Sequence, residues 1–160
     1  MKTTDLHDEF GEQLQVCEPI FQSFGGKKQF HGNIRTVRVY EDNVLVRKAL
    51  ETIEEGEVLI VDGGGSMRCA LLGDNLAAIA LTRKLGGIII HGCVRDVAEL
   101  CKMNIGIYAL NKVPVRSQKI GRGATDMNVM FGGVTWRTGE YVYVDEDGII
   151  TSAKALHEKW

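Results

Sequence analysis

Arg95 and Asp96 stand side by side in Gly92-Cys93-Val94-Arg95-Asp96, just after the apolar run Ile88-Ile89-Ile90. A carboxylate at such a turn can hold a hard metal ion, and a guanidinium can clamp an anionic substrate or a developing oxyanion. A second acid, Asp74, opens a comparable segment upstream, Gly73-Asp74-Asn75-Leu76. Both acids also have a plainer use, because Asp is favoured at helix N-caps and an Arg-Asp dipeptide can be a local ion pair. The residues alone leave both uses open.

Other chemistries are poorly supplied. His7, His31, His91 and His157 show no His-x-His or His-x-x-x-His spacing, which argues against a zinc site. His91 closes the Ile88–Ile90 segment and is a secondary candidate for substrate contact, against the plainer reading of a packed ring. Cys17, Cys69, Cys93 and Cys101 are scattered, with no Cys-x-x-Cys, and read as reduced, mostly buried small hydrophobes. There is no Gly-x-Ser-x-Gly nucleophile motif. Asp62-Gly63-Gly64-Gly65-Ser66 could cradle a phosphate on backbone N–H groups, yet it matches neither the P-loop nor the dinucleotide fingerprint. A tight turn, or close approach of another backbone, is the stronger reading. Carboxylates therefore remain as the credible metal ligands, and oxygen donors suit Mg²⁺ or Mn²⁺.

These residues need a scaffold, and the chain is long enough to build one. At 160 residues it fits a single domain, 1–160, with a sizeable core. A formal net charge of -2 and a pI near 6.1 argue against direct nucleic-acid binding. The local cluster Arg35, Arg38, Arg47 and Lys48 reads as solvated surface. No run approaches the roughly 20 apolar residues of a membrane helix. Residues 1–9 are polar and lack the apolar centre of a signal peptide, so a cytoplasmic location is expected, away from membranes.

The hydrophobic pattern alternates strands and helices over the first two thirds. Residues 34–40, 57–62, 69–72, 88–91 and 105–110 read as strands, with 113–115 also strand-like. Residues 43–52 and 75–85 read as helices, and 94–103 as a turn with a short helix. From Val129 the pattern becomes antiparallel β, with 129–131, 134–136, and a hairpin of 141–144 and 149–151 about Asp145-Glu146-Asp147-Gly148. The class is mixed α/β.

Several segments in one order resemble the RraA-like family, which includes the regulator of ribonuclease E activity A and the class II 4-hydroxy-4-methyl-2-oxoglutarate aldolases. They are Val16-Cys17-Glu18-Pro19, Phe24-Gly25-Gly26, Val61 to Ser66, Gly73 to Leu76, His91 to Asp96, Ile105-Gly106-Ile107, Phe131 to Val134 and Asp147 to Ile150. The resemblance implies a compact α/β domain of stacked mixed β-sheets flanked by helices, of the swivelling β/β/α type, assembled as a homotrimer with sites between subunits. It further implies that Asp96 binds a divalent metal cation (Mg²⁺ or Mn²⁺), that Arg95 contacts substrate, and that Gly73, Asp74, Asn75 and Leu76 line the substrate site.

On that footing the expected activity is metal-dependent cleavage of 4-hydroxy-4-methyl-2-oxoglutarate to pyruvate, with oxaloacetate decarboxylation through the same enolate. The lysines (Lys27, Lys28, Lys48, Lys84, Lys102, Lys112, Lys119) sit in polar contexts, which disfavours a Schiff-base route. Arg95 and Asp74 are the expected catalytic groups. Arg95 would stabilise enolate charge, and Asp74 would hold a water that takes the C4 hydroxyl proton. Amides at Asp74, Asn75 and Leu76 would receive a carboxylate. Longer aldolases of the family add a C-terminal acidic residue to the neighbouring subunit's site, and Glu158 is not equated with it. The rival expectation is a protein-binding inhibitor of ribonuclease E, which needs no metal and so no Asp96.

Overall fold

The computed structural model describes residues 2–156. His157 and Glu158 therefore lie outside the described residues. In chain order the elements are α1 (Thr3–Phe10), a 3₁₀ turn (Gly11–Gln13), β1 (Leu14–Val16), β2 (Gln22–Ser23), β3 (Phe30–Arg38), α2 (Val44–Thr52), β4 (Val58–Asp62) and β5 (Ala70–Leu72). Then follow α3 (Asp74–Thr82), β6 (Gly87–Val94), α4 (Val97–Leu100), β7 (Ile107–Lys112), β8 (Ala124–Thr125), β9 (Val129–Phe131), β10 (Val134–Trp136), β11 (Tyr141–Asp145) and β12 (Gly148–Ser152).

One mixed sheet runs in the order β1-β12-β11-β3-β4-β6-β7-β2, with β5 added to β6 and β8 to β3. Strand β3 belongs to two regimes. Its first half, Phe30–Asn33, pairs antiparallel with β11, and its second half, Ile34–Arg38, pairs parallel with β4. The antiparallel run β1-β12-β11 joins the parallel run β4-β6-β7 on this strand. The small hairpin β9-β10 forms a separate layer. This is the mixed α/β class expected from the sequence.

Strands β4 and β6 are buried on both faces, which is why they read as unbroken apolar runs. Alternation sorts their side chains: Leu59, Val61, Ile88 and Ile90 pack with Val46, Leu50, Leu76 and Ala77 of α2 and α3. Val58, Ile60 and Ile89 point the other way, onto Val129, Val134, Trp136 and Val142. Burying a side chain of this size contributes about 1.5–3 kcal/mol. A third cluster, Leu6, Tyr143, Ile150 and Leu156, seats α1 against the antiparallel part.

Three sequence expectations shift. Val113–Val115 is not a strand, since Pro114 brings no N–H to a ladder. The region is tied by single bonds, Val113 N–H to Val94 O at 3.0 Å and Ala70 N–H to Val115 O at 2.7 Å, with an isolated bridge between Ala70 and Arg116 beyond it. Helix α3 ends at Thr82 rather than residue 85, because Lys84 turns left-handed at φ 57 and sends Leu85 into the core. Helix α1 has no counterpart in the sequence reading, since only Thr3 and Leu6 of it are buried.

Candidate active site

The parallel register sets the site. Leu72 of β5 pairs with Val94 of β6, so the turns that follow leave the sheet side by side. The carboxyl ends of parallel strands are where α/β sheets open a crevice. Arg95 N–H donates to Leu72 O at 2.9 Å, tying one turn to the other. Asp74 N–H, at the start of α3, donates to Asp96 Oδ2 at 3.0 Å. The two acids, 22 positions apart in the chain, thus belong to one constellation.

Asp96 occupies the N-cap position of α4 but makes no side-chain cap there. Its backbone is left-handed (φ 62, ψ 38), which Asp tolerates better than most residues, and its carboxylate reaches α3 instead. Asp74 is likewise no side-chain cap: it is the first helical residue of α3, whose N-cap is Gly73. Neither acid caps its own helix through its side chain.

Gly73 is where a close approach demands glycine. A Cβ there would lie 2.5 Å from Asp96 Oδ2 and 3.3 Å from Arg95 Cγ. One sequence expectation is modified, because the Asp74 amide is already committed to Asp96. Asn75 and Leu76 remain as first-turn amides without intrahelical acceptors.

The resulting cleft, about 270 Å³, is lined by Gly73, Asp74, Asn75, Leu76, Arg95 and Asp96. It also includes Asn43, Arg47, which the sequence placed on solvated surface, and Lys119, read there as a lysine in a polar context. Arg116 and Ser117 line it too, and the sequence reading did not single them out. Their only signal was the basic stretch after Pro114, and nothing in its spacing ties it to Arg95. Lys119 Nζ donates to Asn43 Oδ1 at 3.1 Å. It is exposed, the setting of a binding cation rather than of a desolvated Schiff-base lysine. Among the lining residues Arg47, Arg95, Arg116 and Lys119 outnumber Asp74 and Asp96, and with Arg47 also paired to Glu51 at 3.6 Å the lining still favours anions.

A metal would find a sparse but suitable donor set. Among the described residues no group of three or more His, Cys, Asp or Glu converges on one point. Mg²⁺ keeps several waters and needs only one or two protein carboxylates. Asp96 sits exposed at the cleft with one oxygen engaged by an amide, and Asp74 lines the same cleft. These residues fit a hydrated hard cation and do not fit a closed zinc site.

His91 does not line this cleft. Its ring stacks on Phe131 at 4.8 Å between centroids, and burial pushes its pKa down against the pull of Asp62. The glycine loop is a close approach, as the stronger reading held: Gly65 N–H donates to His91 O at 3.0 Å, and a Cβ on Gly63 would meet that carbonyl at 2.8 Å. Cys17, Cys69 and Cys93 are buried, with thiol pKa values raised by burial, for Cys17 to about 12. None is an activated nucleophile.

Residues 3–151 match the RraA-like family, described as Aldolase/RraA. The chain belongs to the RraA-like family. A Bacillus cereus relative named "Putative 4-hydroxy-4-methyl-2-oxoglutarate aldolase" is 60% identical over 98% of each chain. One of the same name from Alkalilimnicola ehrlichii is 51% identical over 96% of each. Among solved RraA-like structures, the RNA-processing inhibitor RraA of Thermus thermophilis superposes with a TM-score of 0.93 at 45% identity, covering 96% of this chain and 93% of that one. A Geobacillus kaustophilus protein named as an S-adenosylmethionine: 2-dimethylmenaquinone methyltransferase gives 0.97 at 57% identity, covering 100% and 99%. Family members with this fold thus carry three different names, and the site has to decide among them.

Proposed function

We propose that this chain is a divalent-metal-dependent class II aldolase that cleaves 4-hydroxy-4-methyl-2-oxoglutarate into two pyruvates, with oxaloacetate decarboxylation as a side reaction. The observation that carries the reading is the single cleft in which Arg95, Asp96 and Asp74 meet under a cationic rim. Relatives at 51–60% identity named for this aldolase support it.

A Mg²⁺ or Mn²⁺ held at Asp96 would supply Lewis-acid polarisation of the 2-oxo acid. Arg95 carries the rest of the charge stabilisation, its guanidinium donating to the oxygen on which enolate charge grows as the C3–C4 bond breaks. Asp74 orients a water that accepts the C4 hydroxyl proton, so that C4 becomes the keto carbon of one pyruvate. The electron pair of the broken bond enters the enolate of the other pyruvate, which is then protonated at C3. Arg116, Lys119 and the Asn75 and Leu76 amides receive the carboxylates and hold the bond to be broken in place. Oxaloacetate loses carbon dioxide through the same enolate.

We further propose a homotrimer, cytoplasmic in location. Exposed apolar side chains beside the cleft, Val115 at 50% and Ile120 at 58%, favour burial against another copy. No helix among the described residues is long and apolar enough to cross a membrane.

The 45% identity to the Thermus RNA-processing inhibitor favours a second reading, an inhibitor of ribonuclease E, and the acidic balance of this chain suits a basic protein partner. The methyltransferase name fits the site less well. S-adenosylmethionine carries a sulfonium cation, and the rim of the cleft is cationic. The test is pyruvate release from 4-hydroxy-4-methyl-2-oxoglutarate with Mg²⁺ and with EDTA, alongside ribonuclease E binding. Metal-dependent release supports the aldolase. Tight ribonuclease E binding with no release overturns it.

A further inference from the structure

A buried carboxylate behind the cleft has no part in the chemistry above. Asp42 is 2% exposed and lies in the turn between β3 and α2. Its Oδ2 accepts three successive backbone N–H groups, from Ile120 at 2.9 Å, Gly121 at 2.8 Å and Arg122 at 3.3 Å. Its Oδ1 accepts Val44 N–H at 3.1 Å. Consecutive amides folded around one anion make a nest, and here the anion is the protein's own side chain.

The segment so held directly follows Lys119, which lines the cleft. Within one subunit few other contacts fix it. Residues 118–123 are all exposed, and Ile120, its one large apolar side chain, is 58% exposed. Upstream, the backbone at Arg116 is held separately, by its bridge to Ala70, whose N–H donates to Val115 O at 2.7 Å. From Gln118 on, the other ties run to the same turn as Asp42: Gln118 N–H donates to Glu41 O at 2.8 Å, Asn43 N–H to Gln118 O at 3.3 Å, and Lys119 Nζ to Asn43 Oδ1. Burial pushes the Asp42 carboxyl up, but its four amide donors outweigh burial and hold it below the usual range, so it stays ionised.

We propose that Asp42 is a positioning residue: it locks the Gln118–Arg122 loop to the β3–α2 turn, and through that loop sets the place of Lys119. It thereby fixes preference for 2-oxo acids bearing a second carboxylate over pyruvate alone. The selectivity rests on the aldolase reading of the cleft; the anchoring does not. Asp42 never touches substrate. Removing its charge leaves Arg95 and Asp96, the groups assigned to the pyruvate half, where they are.

The experiment compares wild type with Asp42→Asn, which keeps the shape and loses the charge. KM for 4-hydroxy-4-methyl-2-oxoglutarate rises by about tenfold or more, as expected for losing charged hydrogen bonds that hold a binding cation. The constant for inhibition by pyruvate changes less than about twofold, within the scatter of a remote substitution. A general structural defect would weaken both together, and that result, or no change in either, overturns the proposal. Amide hydrogen exchange supplies a readout independent of turnover. The Ile120, Gly121 and Arg122 amides exchange about tenfold faster or more in Asp42→Asn, and retained protection overturns the anchor. If Asp42→Asn does not fold, Gly121→Ala acts from the loop side. Gly121 sits at φ 96 and a Cβ there would meet only Val44 Cγ1, at 3.8 Å, an ordinary contact, so that the strain falls on the backbone of the nest. The same split between substrate and pyruvate is expected, and its absence counts against the proposal. Should wild type release no pyruvate, the aldolase reading and the selectivity fall, while exchange still decides the anchor.

Discussion

The Asp96 carboxylate accepts the backbone N–H of Asp74 at 3.0 Å, across the gap between two helices that leave neighbouring parallel strands. Each turn thereby fixes the other. Asp96 gains a defined orientation from α3, and α3 gains a negative charge at its start, where the helix dipole favours one.

Gly73→Ala tests this orientation. The added Cβ would sit 2.5 Å from Asp96 Oδ2, the far end of a side chain, so the chain adapts by moving the carboxylate. Gly73 has an extended backbone at φ -130, which alanine adopts freely. Thermal unfolding should shift by only a few degrees, the equivalent of about 1 kcal/mol. Pyruvate release should fall at least about tenfold, since small misplacements at a reacting centre are expensive. Unchanged turnover would separate the Asp96 position from the reaction.

Arg95 is assigned to the charge that develops as the C3–C4 bond breaks. Arg95→Ala should lower kcat by about 10²–10³ with a smaller change in KM, the pattern of an interaction made mainly in the transition state. Arg95→Lys should recover only part of this loss, because an ammonium lacks the planar fork. A rise in KM with kcat intact would make Arg95 a ground-state binding group instead.

Acid stability should depend on Asp145. It is 8% exposed and accepts Thr3 N–H and Thr3 Oγ1, both at 2.7 Å, at the start of α1. Burial pushes its carboxyl up, but the Thr3, Asp147 and Gly148 donors outweigh burial and hold it below the ordinary range. A folded-state pKa below the unfolded one stabilises the protein above the unfolded value, about 4, and that stabilisation is lost as pH falls through the folded value. Chemical denaturation across pH 7 to 3 should therefore show Asp145→Asn losing less stability on acidification than wild type. Parallel curves would contradict the assignment.

The strands most legible in the sequence are those buried on both faces. Leu59 to Val61 and Ile88 to Ile90 read as strands by their length and apolar run, and Leu76, Ile79, Ala80 and Leu85 marked α3 by their spacing, although Leu85 lies past its end. Helix α1 escaped because its contact with the core is Leu6 and little more. The Arg95-Asp96 and Gly73–Leu76 turns were visible as separate motifs, but only the Leu72 to Val94 register makes them one site. The place of Lys119 in the cleft was illegible for a different reason. A loop held by Asp42 through backbone amides leaves no side-chain pattern to read, since any residue supplies an N–H except proline.

The central claim is that Asp96 serves the reaction and not merely the fold. Asp96→Asn separates the two, because asparagine tolerates the left-handed backbone and its side-chain oxygen can still accept the Asp74 amide. Pyruvate release from 4-hydroxy-4-methyl-2-oxoglutarate, measured with saturating Mg²⁺ for folded wild type and folded Asp96→Asn, is the direct measurement. The account predicts at least about a hundredfold loss in the variant, the scale of losing a metal's charge stabilisation, with wild-type release abolished by EDTA. Equal release from the two proteins would contradict it.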